Sequence, residues 1–195
     1  MNSWARMDSY VDDKGTFVVG ENDLKLLHTL AKAGPDHGKF LRMINVTMDI
    51  TAPFYWWKEF STYKVGTVAN SCSTMHKIHA KEFTLDDFSH EHLINERTGL
   101  VLTNRDIFPR NLLDAIVSEL NKCRELFLET NDKKYWWQMI QLLPSSYNQR
   151  RTVQLNYAVA LNMYKARHAH KLDEWHTFCD TIKTLPYFNE ICLAE

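Results

Sequence analysis

The chain has 195 residues, with 23 Lys or Arg against 24 Asp or Glu and a formal net charge of −1. This balance supplies neither a basic field for a nucleic-acid polymer nor an acidic solvating tail, so a small molecule or a protein partner is the expected ligand. The length suits one ample core with no interdomain linker, so a single domain over 1–195 is expected, with 1–15 as a peripheral extension.

The opening MNSWARMDSYVDD has no basic segment followed by an apolar run. No later window approaches membrane-spanning length, and a soluble cytoplasmic protein without membrane contacts is expected. Residues 16–19 read as a short strand, followed by a helix over about 22–33 whose apolar face is Leu24, Leu27, Leu30 and Ala31. Gly34-Pro35 ends it. The alternation of Met43, Ile44, Val46, Met48 and Ile50 predicts a half-buried strand over 40–50. Thr51-Ala52-Pro53 then starts a helix, with Pro53 in its first turn. The small, hydroxyl-rich 65–74, VGTVANSCST, suits a loop, either an ordinary surface connection or one that approaches a ligand.

An irregular excursion over 83–105 carries Asp86, Asp87, Asn95 and Asn104. Pro109 opens a long amphipathic helix through Leu112, Ile116, Leu120, Cys123 and Phe127, and a second helix spans about 133–142. Beyond Leu143-Pro144, Val153, Leu155, Val159, Leu161 and Met163 leave almost no solvated face, which predicts a buried helix. A last helix covers about 171–184 before Leu185-Pro186. The paired tryptophans 56–57 and 136–137 read as core or subunit-interface residues. The fold class is α+β: a mainly helical domain with a small antiparallel N-terminal sheet.

Asn156, Asn162 and Arg167 punctuate the buried stretch. Amides and a guanidinium inside an apolar segment need polar partners, so they form one wall of a ligand site or else cap and brace neighbouring segments, with Arg167 pairing to Asp173 or Glu174. Arg150 and Arg151, read at the entrance of that helix, are either solvated charges or donors to a phosphate at the helix start. Cys72, Cys123, Cys179 and Cys192 are widely separated and read as free thiols. His76 and His79, and the late group His168, His170 and His176, lack a cysteine or carboxylate at zinc spacing, so no metal is expected.

In chain order these pieces resemble the flavin-dependent thymidylate synthases over about 22–186. DLKLLHTLAKAG followed by KFLRMINVTMDITAP is similar to the family's early helix, glycine turn and strand. APFYWWKEFSTYKVGTVANSCSTMH resembles its central helix and following loop, with about one inserted residue. Leu142-Leu143-Pro144 followed by Asn156, Asn162 and Arg167 has the spacing of its flavin-contacting amides and nucleotide-binding arginine. The resemblance implies a homotetramer with sites shared among subunits, FAD as cofactor, and methylation of a deoxyuridylate-type nucleotide (dUMP) using a folate and a nicotinamide. It assigns Ser71, Ser73 and Arg167, with Arg150 and Arg151 as added basic groups, to the nucleotide, and Lys64, Asn70, Asn156 and Asn162 to the flavin.

The chain departs from the family's motif at its chemically active positions. The motif's Arg-His-Arg falls on Thr62, Tyr63 and Lys64, its glutamate on Ser71, and its next arginine on Met75, with His76 and Lys77 nearby. The strand histidine, preceded by glutamate in the family, falls on Arg42-Met43, and a methionine cannot move a proton. Two functions follow: a nucleotide-binding protein on this scaffold with the catalytic and flavin motif degraded, or an active divergent enzyme of the thymidylate synthase type. The lost groups favour the first.

Overall fold

The computed structural model describes residues 6–95 and 108–194. Its elements in chain order are β1 (Tyr10–Val11), β2 (Phe17–Val18), α1 (Glu21–Lys32), β3 (Asn45–Pro53), α2 (Phe54–Phe60), β4 (Val68–Ser71), α3 (Thr74–Lys77), α4 (Pro109–Thr130), α5 (Lys133–Leu142), β5 (Asn148–Asn156), α6 (Tyr157–Arg167) and α7 (Asp173–Lys183). The α+β class holds: helices dominate, and the sheets are small. The N-terminal pair is antiparallel, Tyr10 opposite Val18 and Val11 opposite Phe17. A second sheet has the order β3-β5-β4.

The residues divide into two compact units. The first comprises Met1–Met48, Tyr63–Ala69 and Val153–Glu195, and the second Asp49–Thr62 and Asn70–Thr152.

In the first unit, the β1–β2 turn is set by Asp12, whose carboxylate accepts from the backbone N–H of Lys14 and Thr16 at 2.9 and 2.8 Å. Asp8 and Asp23 then cap each other's segment. The Asp8 carboxylate accepts from the N–H groups of Asn22 and Asp23, the orphan donors of the first turn of α1, while Asp23 accepts from the N–H groups of Asp8 and Ser9 and from the Ser9 hydroxyl. The Asn22 N–H holds the Asp8 carboxyl below the usual aspartate range. These contacts fall within the stretch expected to be a peripheral extension. Gly34, at φ +99°, ends α1 as expected.

In the second unit, Ile78, Phe83, Phe88, Leu113, Leu120, Cys123 and Met139 form the core. The inward face of α4 is Leu113, Leu120 and Cys123; Leu112, expected inside, is exposed. Asn131 closes α4 in the left-handed conformation (φ 54°), its N–H donating to the Phe127 carbonyl at 2.8 Å, and the Asp132 side chain caps α5 at the Lys134 N–H. Two residues thus reverse the chain between packed helices.

Several sequence expectations need correction. Residues 40–42 belong to a 3₁₀ turn, Gly38–Arg42, and the strand begins at Asn45. Thr51-Ala52-Pro53 ends that strand, and α2 starts at Phe54 with Pro53 as its cap. The 65–74 segment is a loop only in part, because β4 and the start of α3 lie within it. The largest correction concerns 148–156, which is a strand. Gln149, Val153 and Leu155 are buried at alternate positions, the period of β structure, and α6 begins only at Tyr157. The excursion expected over 83–105 is irregular to residue 95, apart from a 3₁₀ turn at Leu85–Asp87; its remainder, with Asn104, lies outside the described residues. A π-helical turn at Asn189–Leu193 follows the last helix.

Candidate functional site

In the second unit, a cleft of about 290 Å³ is lined by Thr51, Ser73, Lys77, Lys81, Asp87 and Arg150, with Cys72, Thr74, Ile78, Asp86, Tyr147, Asn148 and Gln149 completing its walls. It draws three cations and several hydroxyls to one place. The alternation of β5 decides which arginine faces it: Arg150 and Thr152 turn outward, and Arg151 shares the inward side with Gln149. Arg150 pairs with Asp49 of β3, which also accepts from the Thr152 hydroxyl at 2.6 Å. Those two partners, Thr152 foremost, hold the Asp49 carboxyl below its ordinary value. Lys81 pairs with Asp87, which raises the lysine above its ordinary range. Among the described residues no carboxylate pairs with Lys77. Ser73 caps α3, accepting from the His76 N–H at 3.4 Å.

Arg151 does not stand at a helix entrance. Its guanidinium lies 4.4 Å from the centroid of the Trp57 ring, and its Nε donates to Gln149 Oε1 at 2.8 Å. Burial lowers its pKa. The Trp57 indole N–H in turn donates to the Gln149 carbonyl at 2.9 Å.

A separate cluster in the first unit surrounds Arg167. Its Nε donates to the Tyr63 hydroxyl at 2.9 Å, and its guanidinium lies 4.8 Å from the Trp175 ring centroid and 5.6 Å from that of Tyr63. The two rings meet edge to face, 6.1 Å apart. Aromatic faces and a neutral oxygen are thus among the groups that orient the guanidinium. Sequence reasoning placed Tyr63 as a lost flavin group and missed it as this partner.

Asn156 caps α6: its side-chain oxygen accepts from the Val159 N–H at 3.1 Å. This is the bracing role weighed for it above. Facing it is Gly66, at φ +76°, where an added Cβ would lie 2.9 Å from Val159 Cγ2 and 3.4 Å from Asn156 Nδ2. Only glycine suits this point, for its backbone angle and for its contact. Gly66→Ala is expected to lower stability by about 1–2 kcal/mol through the left-handed angle alone, with the Val159 clash adding to it. Urea denaturation measures the loss; a variant as stable as the parent would show that this turn yields freely.

Of the remaining sequence-derived residues, Lys64, Asn70, Ser71 and Asn162 are exposed. Ser73 and Arg150 are therefore brought together in the cleft, with Lys77, Lys81, Thr74 and Gln149 as the companions that sequence spacing did not single out for binding, save for Lys77. Lys64, Asn156, Asn162 and Arg167 belong to the other unit. The four cysteines are free. Among the described residues no group of three or more His, Cys, Asp or Glu is placed to hold a metal ion, and no helix is long and apolar enough to cross a membrane.

No protein-family model and no curated protein matches the sequence. Solved structures do match in fold. A flavin-dependent thymidylate synthase, ThyX, from Helicobacter pylori, complexed with FAD and dUMP, aligns with a TM-score of 0.62 at 18% identity, covering 93% of this chain and 85% of the other. A second structure of ThyX from the same organism, also with FAD and dUMP, gives 0.63 at 18% identity over 89% and 83%. At that identity the likeness is one of fold.

Proposed function

We propose, from a fold shared with the flavin-dependent thymidylate synthases, that this chain is a divergent member of that family which binds a phosphorylated nucleotide without performing the family's methylation. The observation that carries the reading is the cleft, where Ser73, one of the motif residues retained, stands with Lys77 and Arg150. The motif's arginine is lost at Met75, and these two cations supply charge in its place. A hydroxyl among cations is a donor set for phosphate oxygens. Ser71 at the end of β4, and Arg167 in the aromatic setting of the other unit, are the further residues that the resemblance assigns to a nucleotide. Arg151 supports them indirectly, being committed to Trp57 and Gln149.

The flavin side fits less well. Lys64, Asn70, Asn156 and Asn162 are the residues that would hold FAD, but the Asn156 oxygen is engaged as a helix cap and the Tyr63 hydroxyl accepts from Arg167. Thr62 and Tyr63 cannot supply the charge of the family's Arg-His pair, and of that triad only the Lys64 charge remains. Position 43, where the family has its proton-handling histidine, holds a methionine that is 82% exposed. A homotetramer is the assembly this reading expects. Leu112, Leu128, Trp137 and Leu142 expose apolar surface on α4 and α5 that a second copy would cover.

Titration calorimetry with dUMP at low salt tests the proposal. The protein is expected to bind, and Arg150→Ala to weaken binding by about tenfold or more, since a charge-assisted bond contributes on the order of 1.5–3 kcal/mol. Raising the salt should narrow the difference, because Arg150 is solvent-exposed. A protein that ignores dUMP ends the binding reading. Retained flavin absorbance together with turnover of dUMP would make it an enzyme instead.

A further inference from the structure

Gln149 is the buried polar side chain among the described residues, 9% exposed, and all of its amide is engaged. The direction of each bond around it follows from donor chemistry alone. Arg151 can only donate, so the atom facing its Nε at 2.8 Å is the amide oxygen. The amide nitrogen therefore faces the other way, toward the Cys72 carbonyl at 3.2 Å and the Thr74 hydroxyl at 2.7 Å. A carbonyl only accepts, which agrees with that orientation. The Thr74 oxygen must then accept from Gln149, and its own hydrogen is turned away from the amide. Thr74 lines the cleft.

From this chain of donors we infer that Thr74 is a ligand-binding residue, presenting its hydroxyl hydrogen to an anionic oxygen in the cleft, and that Gln149 is the positioning residue that fixes its direction. The inference rests on the cleft being the anion site proposed above. It assigns a role to a residue that the family motif leaves unspecified, between Ser73 and the position of Met75. It also explains why a polar amide is kept in the core beside the Trp57–Arg151 stack: Arg151 fixes which way the amide points, and the amide fixes the hydroxyl. The ligand class is a phosphate ester, whose oxygens accept from Thr74 and Ser73 while Lys77 and Arg150 offset its charge.

Calorimetry with dUMP and with inorganic phosphate tests it. Thr74→Val keeps the shape and removes the donor; it is expected to weaken both ligands about tenfold, the effect of losing one hydrogen bond to a charged group. Thr74→Ser restores affinity. Gln149→Met releases the hydroxyl from its fixed direction and weakens binding, but in the Thr74→Val background it costs nothing further, a coupling that a merely structural role would not produce. Equal affinity of Thr74→Val and the parent overturns the inference while leaving the anion site standing, and so do additive losses in the double variant. Should Gln149→Met fail to fold, the Val and Ser variants at 74 decide alone. A parent protein that binds neither ligand overturns the cleft reading and this inference together.

Discussion

Trp57→Ala is expected to lower stability by about 3–5 kcal/mol, the range for removing a large buried aromatic side chain. Trp57 is 1% exposed and packs edge to face with Trp56 and Phe60, at centroid distances of 4.9 and 5.3 Å. Its loss acts three times over. The packing around α2 is left with a cavity, the Gln149 carbonyl loses its indole donor, and the half-buried Arg151 guanidinium loses the ring face beneath it. Trp57→Phe separates these effects: it keeps an aromatic face and drops the donor, for an expected loss of about 1–2 kcal/mol. Urea denaturation provides the measurement, with the midpoint moving and the slope constant. A loss below about 1 kcal/mol for the alanine variant would contradict the account of this core.

Arg167→Ala is expected to weaken dUMP binding by about 10- to 100-fold without unfolding the protein, as befits a charged donor to a phosphate or a base carbonyl. The Tyr63 hydroxyl and the Trp175 ring orient the guanidinium before any ligand arrives, which reduces the ordering cost of binding. Arg167→Lys should fail to restore affinity, since a lysine has neither the planar fork nor the stacking surface that this setting is built for. Comparison of dUMP affinity with thermal melting separates two roles. If affinity is unchanged while the melting temperature falls, Arg167 braces Tyr63 and Trp175 and takes no part in binding.

Much of the helical framework was legible because its apolar spacing is uninterrupted. The expected 22–33 and 133–142 helices match α1 and α5 to within a residue, and Pro109 marks the start of α4. The misreading of 148–156 has a definite cause. Val153 and Leu155 are two apart and belong to a strand, whereas Tyr157, Ala160 and Met163 are three apart and belong to a helix. Taken as one apolar run the two periods blur, and Asn156, which caps the helix, marks where one gives way to the other.

The site was legible only where a motif residue survives. Ser73 and Arg150 were singled out and do meet in one cleft. Gln149 and Tyr63 were not seen for what they are, because their defining bonds join residues 75 to 77 and 104 positions apart. No local spacing encodes such a partner. Arg151 shows the complementary failure: beside Arg150 in sequence it reads as a second phosphate donor, yet strand alternation turns it inward onto Trp57.

The split of the first unit between the two ends of the chain sets an order on its folding during synthesis. Residues up to Met48 emerge early, but the partners that complete their unit begin at Val153. At roughly 5–20 residues per second the ribosome imposes a delay of about 5–20 s between the two, during which the second unit can be completed. Over that interval Val19 still waits for Tyr187, whose hydroxyl will accept from its N–H at 3.2 Å. Until then the contact that ties the segment after the N-terminal hairpin to the late part of the unit is missing, so α1 packs fully only after the second unit has had time to form.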